Sequence, residues 1–416
     1  MKLLKTSVFS AIITLIKISS GFIVSKVIAL TTGPAGVALI GQFMNFITII
    51  LAFSNGGINN GVVKYTAEFE NSEDKLKNLF STSLKISICC SLLIGIVLIY
   101  IDSTISFWIF STYIYGNVIK VLGFTIILYS LNSLLIAILN GKKQLKSYTI
   151  VNISGSIISL TFTLILVFFY KIDGALYSLV LSQSIIFFVT AYIIIESNWY
   201  SWKYFKQPFD KDIAIKLGKY SLMAIVTALT LPISQILLRK IIIEKLGIDS
   251  AGYWQGMMRI SDGYLLLVTT SLNTYYLPKL SSLKDSEDIK KEIFDGYKVI
   301  LPVVLFCCII IYYLRFFIID ILYTPAFKEI EKLFIYQLLG DFFKIAAWVL
   351  AYLMMAKAMI KTYIITEIIF NITYVSASYV FIDYFQLKGV TIVFFINYTL
   401  YFLLMVFIFR KTLFIK

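Results

Sequence analysis

The sequence predicts an all-α protein that crosses a membrane about twelve times. Of its 416 residues, 59% are hydrophobic and only 14% charged, against about 25% charged in an ordinary soluble domain. The apolar residues recur as runs of about 20, the length that spans a bilayer as a helix. Lys and Arg collect in alternate connections, as the positive-inside rule requires.

The runs fall near 8–30, 37–59, 79–101, 116–138, 148–170, 174–196, 217–238, 252–277, 298–320, 332–355, 360–382 and 389–410. The first is too long for a signal-peptide core and lacks a small-x-small cleavage site, so it is expected to remain as a span. With a cytoplasmic N-terminus, inside segments hold clusters such as Lys75-Lys77, Lys142-Lys143-Lys146, Lys203-Lys206-Lys211 and Lys290-Lys291. Outside connections hold only Lys171, Arg239, Lys240, Lys245, Lys328 and Lys388. The bias is more than threefold. It puts both termini in the cytoplasm and accounts for most of the +14 net charge, so no nucleic-acid partner is needed.

Cys89-Cys90 and Cys307-Cys308 each lie inside an apolar run and read as small apolar fillers. The absence of histidine removes the commonest general base and metal ligand. Ser-His and zinc chemistry are excluded. The expectation is a non-enzyme with no cofactor or metal, open to coupling to H+ or Na+.

No connection exceeds about 20 residues, which leaves no room for an extramembrane domain. The longest, NWYSWKYFKQPFDKDIAIKLGKY (198–220), mixes aromatics with lysines as an interfacial amphipathic helix would, with Trp199 and Trp202 at headgroup level. It divides the chain into an N-terminal six-helix lobe (1–197), a cytoplasmic interfacial linker (198–216) and a C-terminal six-helix lobe (217–416). Six spans per half permit parallel repeats. SKVIALTTGPAGV (25–37) and RKIIIEKLGIDSAGY (239–253) share a cation, an aliphatic stretch, a glycine loop and Ala-Gly, and the cysteine pairs fall in the third span of each half.

Polar residues line up inside several spans. At about 100° per residue, Ser7, Ser10, Thr14, Lys17, Gly21 and Ser25 lie within about 80° of one another. Lys26 lies about 160° round from Ser10 and joins that face only if the helix bends near Ser19-Ser20-Gly21. The second span aligns Asn45, Thr48, Asn55 and Asn59. The seventh aligns Tyr220, Thr227, Thr230 and Ser234 beside Pro232, which should kink it. The eighth aligns Gln255, Arg259, Asp262, Thr269 and Asn273, and the tenth Gln337, Asp341, Lys344, Trp348 and Tyr352. Such stripes also serve as polar glue between packed helices, and Arg259–Asp262 and Asp341–Lys344 at i,i+3 could neutralise each other. A charge at mid-bilayer costs about 2.5–3.5 kcal/mol, and a water-filled cavity between the two lobes accommodates all the stripes. Lys17, Lys26, Arg259 and Lys344 would make it cationic, with Arg239 and Lys240 near an outer mouth. Only Asp262 and Asp341, and Glu367 in the eleventh span, oppose them. That sign suits a pyrophosphate.

The chain resembles the Wzx-type flippases of the multidrug/oligosaccharidyl-lipid/polysaccharide exporter (MOP) superfamily, in the O-antigen and enterobacterial common antigen branch. The resemblance runs through TLIKISSGFIVSKVIALTTGPAGVAL (14–39), NGVVKYTAEF (60–69), LMAIVTALTLPISQILLRK (222–240), GYWQGMMRISDGYLLLVTTS (252–271), YLPKLSSL (276–283) and YQLLGDFFKIAAWVLAYLMMAK (336–357). It implies two six-helix lobes forming a V around a cationic central cavity. It also implies an undecaprenyl-pyrophosphate-linked oligosaccharide carried from the cytoplasmic to the periplasmic leaflet of the bacterial inner membrane by alternating access. Lys17, Lys26, Lys240, Asp262, Asp341 and Lys344 match the family pattern; Arg259 departs from it.

On this reading Lys17, Lys26, Lys240, Arg259 and Lys344 hold pyrophosphate. Asn45, Asn55, Asn59, Gln255, Gln337, Trp348 and Tyr352 line the glycan cavity, and Asp262, Asp341 and Glu367 serve coupling. Expected partners are the lipid-linked glycan, membrane lipid, and the polymerase and chain-length regulator of the same pathway, with the transporter a monomer. The alternatives are a cation-coupled multidrug exporter of the same superfamily, which would want an acidic cavity, and a pathway polymerase, which would want a large periplasmic loop.

Overall fold

The computed structural model of the chain describes residues 2–283, 285–357 and 359–414; the side chains of residues 2–11, 220, 222, 223, 274 and 278 lie outside that description. Of the expected polar faces, Ser7, Ser10 and Tyr220 are among those side chains. The helices of the first half are α1 (Lys2–Ser54), α2 (Asn59–Glu68), α3 (Glu73–Tyr100), α4 (Asp102–Phe110), α5 (Gly116–Gly141), α6 (Leu145–Ile195) and α7 (Lys211–Leu246). The second half holds α8 (Ile248–Ser271), α9 (Leu277–Ser282), α10 (Ser286–Tyr313), α11 (Arg315–Leu322), α12 (Phe334–Ala356), α13 (Ile360–Phe385), α14 (Leu387–Ile408) and α15 (Arg410–Phe414). A 3-10 turn (Trp202–Phe205), a π turn (Leu272–Tyr276) and a 3-10 segment (Pro325–Leu333) complete the chain.

Nine helices among the described residues are long and apolar enough to cross a membrane. Two of them are broken into span-length halves, α1 at Gly33 (φ 63°, ψ −165°) and α6 at Lys171 (φ 49°, ψ −121°). The one expected span outside this set is α8, long enough at 24 residues but interrupted by Arg259 and Asp262. Mid-helix Leu93, Phe124, Phe188, Phe306 and Leu403 are each more than half exposed. A water-facing surface would not carry so many large apolar groups; acyl chains cover them at no cost.

The element order repeats. α3 and α10 are both 28 residues long and start 213 residues apart, at 73 and 286. The short helices that follow, α4 and α11, start at 102 and 315, the same displacement. Left-handed breaks recur in register too. Gly33 corresponds to Gly247 (φ 86°), and Lys171 to Gln386 (φ 54°). Each supplies a sharp turn where the chain leaves one span and enters the next, a backbone region that favours glycine.

The chain packs as two compact units, residues 1–31 with 39–232, and residues 32–38 with 233–416. In the first unit, Ile58, Leu79, Phe80, Leu134, Ile138 and Leu217 share one buried cluster. In the second, one cluster gathers Leu280, Ile293, Leu350 and Met405, and another Leu238, Trp254 and Phe394.

Two local expectations are corrected. Residues 198–210 are not an amphipathic helix; only Trp202–Phe205 makes a single 3-10 turn. The stretch is strapped to α3 instead, where Ser81 Oγ donates to the Gln207 carbonyl (2.6 Å) and the Asp210 N–H donates to Thr82 Oγ1 (3.1 Å). Trp199 packs edge-on to Phe80, and Lys142 Nζ lies 4.5 Å from its ring centroid. Burial among these rings pushes the Lys142 ammonium down, against the pull of Glu70 and Glu73. α1 is helical through Ser19-Ser20-Gly21, its non-helical break lying at Gly33. Asn59 does not continue the face of Asn45 and Asn55, because Gly56 and Gly57 adopt positive φ and end the helix at Ser54.

The paired turns make a directional prediction. A Cβ at Gly33 would meet nothing within 4 Å, so Gly33→Ala carries only the conformational penalty, about 1–3 kcal/mol. Lys171→Gly relieves the same penalty less the entropy that glycine adds to the unfolded chain, a net gain of about 1 kcal/mol. Thermal unfolding of the detergent-purified variants should move in opposite directions.

Candidate functional site

In the first unit, α1 carries Lys17, whose Nζ donates to Asn152 Oδ1 on α6 at 2.8 Å. The Asn152 amide nitrogen donates to the Tyr148 carbonyl at 2.8 Å, which holds its oxygen toward the ammonium. Lys17 makes no ion pair among the described residues. Asn152 was not anticipated, although Tyr148, Asn152 and Ser156 recur every four residues, the same signal that singled out the other stripes.

The asparagines of this unit differ. Asn55 is buried and accepts from Ser130 Oγ on α5 (2.5 Å). Asn59 donates to Ser133 Oγ (2.7 Å). Both have partners on α5 and act as links between helices. Asn45 is half-buried on α1, its amide nitrogen unpartnered. Lys26 is half-buried and engaged by neighbouring groups.

The second unit concentrates the charge. On α12, Asp341 is fully buried. Its two carboxyl oxygens accept from Ser261 Oγ (2.7 and 2.6 Å), with Tyr264 OH (2.8 Å) and Gln337 Nε2 (3.3 Å) completing the shell. Ser261 and Tyr264 lie at i,i+3 on α8, on a different face from the Gln255–Arg259–Asp262 stripe, and for that reason escaped the sequence reading. Gln337, also fully buried, keeps its own Oε1 unpartnered.

One turn along α12, Lys344 is buried. Its Nζ stands 4.9 Å from the Trp348 ring centroid and 5.8 Å from those of Phe394 and Tyr398 on α14. Gly340 makes this possible: a Cβ there would lie 2.3 Å from Phe394 Cδ1. Lys344 makes no hydrogen bond or ion pair among the described residues, so the i,i+3 neutralisation by Asp341 does not take place as a contact. Its field acts on Asp341, Asp262 and Glu367 from a distance.

Asp262 is exposed and likewise without a contact partner, though within the field of Arg259. Glu367 is half-buried and accepts weakly from Asn371 Nδ2 (3.4 Å). Trp348 is half-buried; Tyr352 is buried one turn beyond it. Lys240 and Arg259 are half-buried and engaged. Arg239, expected near an outer mouth, is instead completely buried within the second unit. Its guanidinium donates to Gln255 Oε1 and stands 5.3 Å from the Trp254 ring centroid. Gln255 is thereby committed to a structural partner.

The fold itself recurs among known transporters. A multidrug resistance MATE family transporter of the MOP superfamily, solved in an inward-facing conformation, matches with TM-score 0.81 at 15% identity, covering 98% of each chain. An outward-facing multidrug resistance MATE family transporter of the MOP superfamily matches with TM-score 0.74 at 15% identity, over 99% of this chain and 94% of that one. The chain therefore shares the fold of these transporters. Residues 30–332 match the family of polysaccharide biosynthesis proteins. The lipid III flippases of Escherichia coli (strain K12) and Shigella flexneri are each 32% identical over 368 residues, 88% of this chain and 88% of theirs. The chain belongs to this family of polysaccharide biosynthesis proteins. These relatives are named flippases rather than catalysts.

The Asp341 shell carries a prediction. A hydrogen bond to a charged group is worth about 1.5–3 kcal/mol, so Ser261→Ala and Tyr264→Phe should each lower stability by about that amount. Because they share one acceptor, the double variant should lose less than the sum, measured by thermal unfolding in detergent.

Proposed function

We propose that this protein flips an undecaprenyl-pyrophosphate-linked oligosaccharide, an O-antigen repeat unit or related surface glycan, from the cytoplasmic to the periplasmic leaflet of the bacterial inner membrane. Both termini are cytoplasmic on this reading, as the lysine bias of the connections supports. The observation that carries the proposal is a pair of lysines, Lys17 and Lys344, inside apolar helices and without an ion pair among the described residues. An intramembrane cation lacking a protein counter-charge marks a functional site. Each lysine lacks a counter-charge of the kind a pyrophosphate supplies, and charge-assisted bonds to phosphate are strong in a dry setting.

Lys26, Lys240 and Arg259, half-buried, extend the cationic set. Trp348 and Tyr352 offer ring faces to sugars, and Asn45 and Gln337 offer unpartnered amide atoms. The family relationship to lipid III flippases supports a lipid-linked glycan as cargo. Inward- and outward-facing conformations named among the fold relatives support alternating access. Asp341, Asp262 and Glu367, all within the field of Lys344, are the groups available for H+ or Na+ coupling. Moving one charge through 100 mV is worth about 2.3 kcal/mol. The polymerase and chain-length regulator of the pathway are the natural recipients of the product.

A strain lacking the gene and carrying Lys17→Gln or Lys344→Gln should lose its surface glycan while membrane levels of the protein stay normal, and Lys→Arg should restore part of it. Normal glycan in either Gln variant would remove that lysine from transport. Drug sensitivity of the deletion strain with unchanged glycan would favour the multidrug exporter instead.

A further inference from the structure

We infer a lipid-binding groove in the second unit, between the end of α8 with its π turn and the first half of α10, that takes a phospholipid with a primary-amine headgroup. The groove encloses about 580 Å³, within the range of sites that hold organic ligands. It is zoned along its length. Val268, Val299 and Val303 line one end; Tyr276, Glu292 and Asp295 line the other. From Asp295 to Val303 α10 rises about 12 Å, so a headgroup and the first half of an acyl chain fit the two zones in order.

Three observations point to a ligand. Val299 and Val303 are 66% and 52% exposed on a helix that otherwise faces lipid, so an acyl chain reaches the apolar end without leaving the bilayer. Tyr276 is 3% exposed, and its hydroxyl has no hydrogen-bond partner. π turns such as Leu272–Tyr276 are common at functional sites.

The charge selects the headgroup. Glu292 makes no ion pair among the described residues, and Asp295 is shared only with Lys298 at 3.4 Å. Two carboxylates repel a pyrophosphate or a net anionic lipid such as phosphatidylglycerol and attract the ammonium of a zwitterionic headgroup. The groove is thus of opposite sign to Lys17 and Lys344, and neither lysine lines it.

Native mass spectrometry of the full-length protein in detergent tests this, titrating phosphatidylethanolamine against phosphatidylglycerol of the same chains. The wild type should retain the ethanolamine lipid at a tenfold or more lower concentration. Glu292→Gln with Asp295→Asn should erase the preference, and Val299→Trp should weaken retention by filling the apolar end. Val299 is mostly exposed, so that variant keeps the test alive if the double variant fails to fold. Equal retention of both lipids, a preference that survives the double variant, or displacement by undecaprenyl phosphate at lower concentration would overturn the assignment.

Discussion

An ammonium inside a membrane-spanning helix has to be compensated, and the two units meet that constraint in different ways. Lys17 reaches one neutral acceptor, Asn152, itself steered by the Tyr148 carbonyl. Among the described residues Lys344 is met by ring faces alone, at 4.9 to 5.8 Å. A desolvated cation–π contact is worth up to about 2 kcal/mol, so three together offset a mid-membrane cost of about 2.5–3.5 kcal/mol without cancelling the charge. Rings hold the ammonium in place and leave its attraction for an anion intact. A carboxylate in contact would have spent that attraction. Asp341, one turn away, is kept from doing so by Ser261, Tyr264 and Gln337, which satisfy its oxygens instead.

The scaffold behind these groups is a duplicated run of helices. Sharp left-handed turns at Gly33 and Gly247, and at Lys171 and Gln386, recur at matching places. The repeat explains why α6 is one broken helix while its counterpart is two, α13 and α14. Both arrangements hold a left-handed residue at the same point; only the assigned continuity of the helix differs. Buried polar side chains such as Asn55 with Ser130, or Asn132 with Thr190, fasten neighbouring helices, as expected where lipid removes the hydrophobic drive for association.

Much of this was legible in the residues. Runs of about 20 apolar residues located the spans, and the i,i+3/i+4 spacing of Gln337, Asp341, Lys344, Trp348 and Tyr352 put them together on α12. What escaped the reading depends on neighbours distant in sequence. Periodicity cannot say that Ser261 and Tyr264 would turn to Asp341, or that Phe394 and Tyr398 would arrive from α14 to cage Lys344. It also over-extended a face through Asn59, because a regular turn of about 100° per residue is blind to the two glycines that end the helix. The aromatic and lysine content of 198–210 suggested a helix at the interface. In fact those rings are used against Phe80 and Lys142, and backbone bonds to Ser81 and Thr82 prevent helix formation.

We propose that Lys17 and Lys344 each attract a phosphate-bearing headgroup. The most direct measurement is the affinity of the purified protein for undecaprenyl pyrophosphate, in wild type and in the Lys17→Gln/Lys344→Gln double variant. The account requires tenfold or greater weakening on neutralising both lysines, with undecaprenol, which lacks the anion, bound poorly by either protein. Equal affinity in the two proteins, or undecaprenol bound as well as its pyrophosphate, would contradict it.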